Sequence, residues 1–262
     1  MELCAGSAIL SSEASKKGFQ TFAVDHELNR FATKSKIFLL DLSKDESRQL
    51  LFEMYHNMKP KWTHMGLPCG TASRAREKPV IDRLRKHGAP QPRPLRDQNH
   101  LLGLSNLTEY EMQRVNSAND VYRTAECVLF LIYTLDLWVS IENPERSWLW
   151  AILALLVKER GDPGYTDWYF NLTDTTFDAC MHGSNFAKTT RLKGSPGIFD
   201  NLAGRCGGSH NHSSWKVQKI GQQWVFNTAA EAEYPKVLAE RMVDAVAAKL
   251  PKETLENTVY FV

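Results

Sequence analysis

Met65-Gly66-Leu67-Pro68-Cys69-Gly70-Thr71-Ala72-Ser73-Arg74 sets a cysteine directly after a proline, at what reads as the end of a buried strand. Proline fixes its own φ and biases the residue before it to extended geometry. Gly70 then lets the chain turn sharply. A side chain at such a corner points out of the strand end, where ligands of open α/β sheets bind. The stretch reads as a corner of an α/β fold that carries a candidate nucleophile, Cys69, against the plainer reading of a buried thiol.

Upstream lie three further strand ends. Glu2-Leu3-Cys4-Ala5-Gly6-Ser7-Ala8 is a strand end followed by a turn of small residues, which let backbone amides approach a ligand closely. A helix over 11–17 closes at Gly18. Residues 20–24 form a second strand ending in Asp25, 19 residues after Gly6, near the spacing at which an acid binds ribose hydroxyls. Residues 36–40 form a third, ending in Asp41, with Ser43 and Glu46 placed as a capping box for the next helix. An acid at this third strand end has the chemistry to accept from an adenine amine. Residues 62–67 are the fourth strand, so functional candidates recur at one edge of one sheet.

Downstream, residues 73–97 carry Arg74, Arg76, Lys78, Arg83, Arg85, Lys86, Arg93 and Arg96 against Glu77, Asp82 and the terminal Asp97. Pro79, Pro90, Pro92 and Pro94 prevent a long helix. The segment reads as a mobile basic loop suited to phosphate contacts. A long helix is expected over 107–135, then a strand over 137–141 that ends in Glu142-Asn143-Pro144, an acid followed by turn chemistry. Residues 148–157 read as a packed helix. From 175 the pattern changes to short strands and turns, with a strand over 225–228 and an amphipathic helix over 229–250 interrupted only at Tyr234-Pro235. Cys180, His182, Cys206, His210 and His212 have the residue types of a zinc site. With no Cys-x-x-Cys pair and irregular spacing, they assign no metal.

At 262 residues, 43% hydrophobic and 24% charged, the chain suits one α/β domain. The net charge of +2 announces no global field for a nucleic acid, so any basic footprint is local. Five cysteines without disulfide-like spacing suit a reducing compartment. The longest apolar run, 127–135, is far below the roughly 20 residues of a membrane span. No membrane partner is expected; the location is intracellular, in the nucleus if eukaryotic and otherwise in the cytoplasm.

In order, these motifs resemble the cytosine-5 DNA methyltransferases, in particular compact phage-like or mobile-element-like members. Glu2-Leu3-Cys4-Ala5-Gly6-Ser7 is similar to their donor motif, Gly66-Leu67-Pro68-Cys69 with Ser73 to their nucleophile motif, and Glu142-Asn143 to their Glu-Asn motif about 70 residues later. Cys180-Met181-His182-Gly183 through Lys188-Thr189-Thr190 and the segment from Thr228 onward resemble later segments of the compact members.

The resemblance implies a Rossmann-like, class I S-adenosylmethionine-dependent fold: α/β, with a central mostly parallel sheet and a small irregular C-terminal recognition region. It implies one methyltransferase domain, 1–262, with a core over 1–170, a recognition-like region over 171–227 and a returning helix over 228–250. S-adenosyl-L-methionine is the implied donor, held by Glu2, Cys4, Ala5, Gly6, Ser7, Asp25, Asp41, Pro68 and Thr228. Cys69, Glu142 and Arg191 are the implied catalytic residues. Ser73, Arg74, Arg76, Arg83, Arg85 and Lys188 are the implied contacts to duplex DNA with a flipped cytosine, made by a monomer. The chain departs from the pattern in three ways. Ala8 stands near the usual second glycine, the Gln-x-Arg-x-Arg motif is absent with Lys188 and Arg191 as candidates for its role, and no large recognition domain separates Arg191 from Thr228. A tRNA enzyme of the same fold and a non-catalytic nucleic-acid-binding relative are the competing readings.

Overall fold

Short apolar runs bounded by turns and separated by helices leave the chain one economical solution, a sheet covered on both faces. The computed structural model describes residues 1–213, 215, 217–221, 223–226 and 233–250. Its strands are β1 (Glu2–Leu3), β2 (Ala23–Asp25), β3 (Ile37–Leu39), β4 (Trp62–Met65), β5 (Trp138–Pro144), β6 (Thr173–Asp178), β7 (Thr189–Gly194), β8 (Val217–Ile220) and β9 (Gln223–Phe226). Its helices are α1 (Ile9–Lys16), α2 (Asp45–Met58), α3 (Asp82–Lys86), α4 (Glu109–Thr134), α5 (Leu149–Glu159), α6 (Pro163–Phe170) and α7 (Lys236–Ala247). Seven strands make one sheet in the order β3-β2-β1-β4-β5-β7-β6. Neighbours from β3 to β5 are parallel, and β7 runs antiparallel to β5 and β6. The expectation of an α/β fold with a mostly parallel sheet is met.

The register sorts side chains by face, since a strand alternates with period two. Leu3, Met65, Val139 and Ile141 join the larger core, formed with α2, α4, α5 and α6. Glu2, His64, Ser140 and Glu142 point the other way, towards the layer of α1 and α7, whose Leu10, Leu238 and Met242 pack with Phe177, Leu192 and Phe199. A line of polar groups thus crosses the middle of the sheet on the α7 side.

Several boundaries differ from the sequence reading. Residues 173–194, expected to open a recognition region, complete the main sheet instead, because β7 finds a full antiparallel register with both β5 and β6. A β8–β9 hairpin follows them, so the strand expected over 225–228 lies two residues earlier. The last helix begins only after Pro235, whose ring cannot follow a helical turn; the expected helical residues 229–232 and Thr228 lie outside the described residues. Ser43 does not cap α2. Its amide and hydroxyl bond Asp41 Oδ1 at 3.0 and 2.7 Å, and Lys44 takes the cap position without a side-chain bond. The long helix α4 carries a capping box instead, between Thr108 and Glu111. Among the described residues, no helix is long and apolar enough to cross a membrane.

Candidate active site

The strand order reverses between β1 and β4, since β1 leads outward to β2 and β3 while β4 leads to β5 on the other side. Loops leaving the C-terminal ends of two such strands diverge and open a crevice. Here those loops are the small-residue turn 4–8 and the loop 66–73 that carries Cys69. They touch: the Gly66 amide donates to the Leu3 carbonyl at 3.0 Å. A Cβ on Gly66 would stand 2.8 Å from Tyr234 Oη and 3.3 Å from the Cys4 carbonyl, so only glycine fits.

The Cys69 loop is held from several elements. Asn143, fully buried at the end of β5, donates from Nδ2 to the Leu67 carbonyl at 2.8 Å. Tyr122 of α4 donates to the Pro68 carbonyl at 2.6 Å. The Cys69 carbonyl accepts the Ala72 and Ser73 amides at 3.0 and 2.7 Å, closing the turn, and the Trp148 amide reaches the Ala72 carbonyl. Arg96, expected to belong to a mobile basic loop, is 1% exposed. It donates to Thr71 Oγ1, Asn119 Oδ1 and the carbonyls of Leu101 and Val115, and lies over the Tyr122 ring. Its role is structural, because both terminal nitrogens are spent on internal acceptors, while its buried Nε has no hydrogen-bond partner among the described residues. The segment 73–97 as a whole folds into α3 and a 3-10 turn at Arg74–Glu77, with Val80, Ala89 and Leu95 buried.

Cys69 is partly exposed. Burial pushes its thiol up, the Lys188 charge pulls it down and the Glu142 charge pushes it up, for a net rise. Lys188 Nζ lies 3.5 Å from Glu142 Oε1. Glu142 Oε2 accepts the Tyr234 hydroxyl at 3.2 Å. Behind Tyr234 runs a buried chain: His64 Nε2 to Tyr234 Oη at 2.9 Å, His64 Nδ1 to Ser140 Oγ at 2.9 Å, and Trp62 Nε1 to Ser140 Oγ at 2.9 Å. Burial holds His64 down at about 3, so the ring is neutral. Because the Tyr234 hydroxyl donates its hydrogen bond to Glu142, His64 must donate from Nε2 and accept at Nδ1. The sequence reading passed over His64 and Ser140. Their only signal was polar residues at the inward positions of two neighbouring strands.

Arg191 is placed elsewhere. Leu192 pairs with Glu142 and Arg191 with Asn143, so Arg191 projects from the opposite face to Glu142. Its guanidinium lies over the Trp150 ring, with Asp174 at 3.6 Å. The cation beside Cys69 and Glu142 is Lys188, and the expectation that Arg191 serves there is corrected.

In the small-residue turn, Gly6 has φ +55° and Cys4 and Ala8 have φ 54°, two of the three without glycine's freedom. Asp25 Oδ2 accepts the Gly6 amide at 2.6 Å, and its Oδ1 accepts the His26 amide at 2.7 Å. Asn29 Nδ2 and the Lys34 amide cap the carbonyls of Gly6 and Ser7. Glu2 is not at the crevice surface. It is 2% exposed, and its Oε2 accepts the Ser11 amide at 2.8 Å, replacing the cap that Ala8 cannot supply to α1. Burial raises its carboxyl to about 7. Burial opposes the Asp41 carboxylate, but the two Ser43 bonds hold that carboxyl below its usual value. Pro68 is exposed and Ala5 buried.

The basic residues divide. Arg74 pairs with Glu77 and lies over Trp148. Arg76 donates to the Arg93 carbonyl, and burial followed by the Arg114 charge lowers its guanidinium. Arg114, unremarked in the sequence, stands beside Gly70. Ser73 caps the 3-10 turn through Ala75. Arg83 and Arg85 are exposed on α3, Arg85 with Asp82 at 2.9 Å.

No protein-family model and no curated protein matches the chain. Among solved structures, a mutant of Spodoptera frugiperda DNMT2 matches with a TM-score of 0.37 and 13% identity over 84% of this chain. The chain spans 59% of that protein's length. At that level the likeness decides neither fold nor activity.

Proposed function

We propose that this chain is a Rossmann-like methyltransferase that moves a methyl group from S-adenosyl-L-methionine to carbon-5 of cytosine in DNA, acting as a monomer. The observation that carries the reading is the Cys69–Glu142–Lys188 cluster on adjacent strand ends, next to a turn of small residues at the switch point of the sheet. The residues fit the donor: Gly66 lets the two loops meet, and Asp25 and Asp41 stand at the ends of adjacent strands. Cys4, Ala5, Gly6 and Ser7 would line the donor, Asp25 and Asp41 would meet its ribose and adenine, and Pro68 would stand beside it. When bound, the donor supplies an electrophilic methyl group.

Carbon-5 of cytosine is a poor nucleophile. Cys69 would make it one by adding its thiolate electron pair to carbon-6, while Glu142, in its protonated form, gives its proton to ring nitrogen 3, which takes up the displaced electron pair and leaves carbon-5 enamine-like. Carbon-5 then takes the methyl group. Loss of the carbon-5 proton to a base would then expel the Cys69 thiolate, and return of the nitrogen-3 proton to Glu142 would restore the neutral aromatic ring and the acid. Lys188 supplies positive charge that favours the Cys69 thiolate, and Tyr234, oriented by His64, keeps Glu142 aimed. The target base must leave the duplex, at a few kcal/mol. Exposed Arg83 and Arg85 would offset part of that through phosphate contacts, with Ser73, Arg74 and Arg76 nearer the base.

The test is transfer of radiolabelled methyl to duplex DNA and, in parallel, to tRNA. Label on the DNA cytosines, lost with Glu142→Gln, supports the proposal. Label on tRNA alone moves the substrate to RNA. Donor binding without transfer to either contradicts enzymatic function.

A further inference from the structure

The fold gathers four residues that the reaction does not use. Cys180 lies in the 3-10 turn Ala179–His182 after β6, and Cys206, His210 and His212 lie in the loop before β8. Their ligand atoms all fall within 4.8 Å of one another. Cys206 Sγ is 3.8 Å from His210 Nε2 and 3.5 Å from His212 Nε2, and the two imidazole nitrogens are 3.0 Å apart. A tetrahedral zinc with bonds of about 2.3 Å to sulfur and 2.0–2.1 Å to nitrogen separates S from N by about 3.6 Å and N from N by about 3.4 Å. Those separations are nearly present.

We propose that Cys180, Cys206, His210 and His212 bind one zinc ion as a closed, structural site. Two thiolates and two imidazoles in a tetrahedron are the donor set that selects zinc. Four protein ligands leave no position for a reacting water. His182 is not a ligand: its Nε2 donates to the Leu202 carbonyl at 2.9 Å and its Nδ1 accepts from Arg241 at 3.0 Å. The supporting shell is in place. The Gly208 amide points at Cys206 Sγ from 3.3 Å, as suits a thiolate, and the Cys206 amide is fixed by Asp178 Oδ2 at 2.8 Å. Asp178 is in turn held by the Thr189 hydroxyl at 2.6 Å. Such outer partners orient metal ligands.

The site also has work to do. The loop that carries three of the ligands has little regular structure, with one bridge from Gly204 to Phe177. It reaches the catalytic edge through Arg205, which pairs with Glu145 at 2.6 Å, three residues past Glu142. It also touches the segment leading to Lys188, through the Ser213 amide on the Asn185 carbonyl and the Trp215 ring on Phe186. A metal would clamp this loop to β6 and steady that edge. The proposal stands whatever reaction the crevice performs.

Metal analysis of the full chain purified without chelator tests it, together with cobalt substitution. One zinc per chain is expected, with visible cobalt bands of a tetrahedral thiolate site, zinc release on thiol mercuration and a lower melting temperature after chelation. Cys206→Ser should lose the metal, and Cys127→Ser should keep it. If the variant fails to fold, mercuration of the unaltered protein still reads zinc release. Protein with free thiols that takes up neither zinc nor cobalt overturns the proposal, as does a Cys180–Cys206 disulfide in protein kept reduced during purification.

Discussion

The two loops at the switch point are held in opposite ways. The Cys69 loop is tied by side chains from farther along the chain, Arg96, Tyr122 and Asn143, each spending donors on its backbone or on Thr71. The small-residue turn is bent through positive φ at Cys4, Gly6 and Ala8 and closed by Asp25 of the neighbouring β2 on the Gly6 amide, while Glu2 of β1 holds the Ser11 amide at the start of α1. One loop is rigid because its partners are satisfied elsewhere in the fold. The other holds strain that its sequence does not relieve.

The comparison breaks most readily at Arg96. Arg96→Met orphans several buried acceptors and should lower unfolding stability by about 3 kcal/mol or more, since bonds to a charged group contribute about 1.5–3 kcal/mol each. Urea denaturation reads this, and a change under 1 kcal/mol would show that the anchor is unimportant.

Glu2→Gln probes the other loop through pH. The Glu2 carboxyl is raised from 4.5 to about 7, so its favourable contribution is complete below about 4.5 and lost as pH rises through about 7. Gln keeps the acceptor for Ser11 without that loss. The variant should match the parent near pH 4.5 and exceed it by about 3 kcal/mol at pH 8, at 1.36 kcal/mol per unit. Melting curves at the two pH values check it, and a pH-independent difference would contradict it.

Asn143→Ala leaves the Leu67 carbonyl without its partner and should remove about 1–3 kcal/mol of stability. It should also slow single-turnover methyl transfer more than it weakens donor binding, because the loop it releases carries Cys69. Lys188→Met should move the acid limb of the pH–rate profile to higher pH, since it removes the charge that lowers the thiol; an unmoved limb would free Lys188 of that role. Ala8→Gly should have the smallest effect, a gain under about 1 kcal/mol, as a left-handed residue loses its Cβ clash but also its buried methyl.

What the sequence disclosed follows the same division. Local signals carried the strand ends: the Pro-Cys corner, the small-residue turn and the Glu-Asn end of β5 all stand at one edge of the sheet. The start of α6 was also written locally, in Asp162 as cap and Pro163 at the first helical position, and was passed over. Non-local features were not legible. That Arg96 is a buried anchor depends on α4 folding back over the loop. That Arg191 and Glu142 point to opposite faces depends on the β5–β7 register. Cys180, Cys206, His210 and His212 could be grouped by residue type, together with His182, but their spacing assigned no metal because β7 is inserted between the first and the rest.

Covalent trapping tests the central claim most directly. The chain is mixed with S-adenosyl-L-methionine and duplex DNA carrying 5-fluorocytosine in varied contexts, then denatured. Fluorine at carbon-5 blocks the final proton loss, so a denaturation-resistant protein–DNA adduct should accumulate, require the donor and vanish in Cys69→Ala. Donor binding without an adduct, or an adduct that survives Cys69→Ala, would contradict the account.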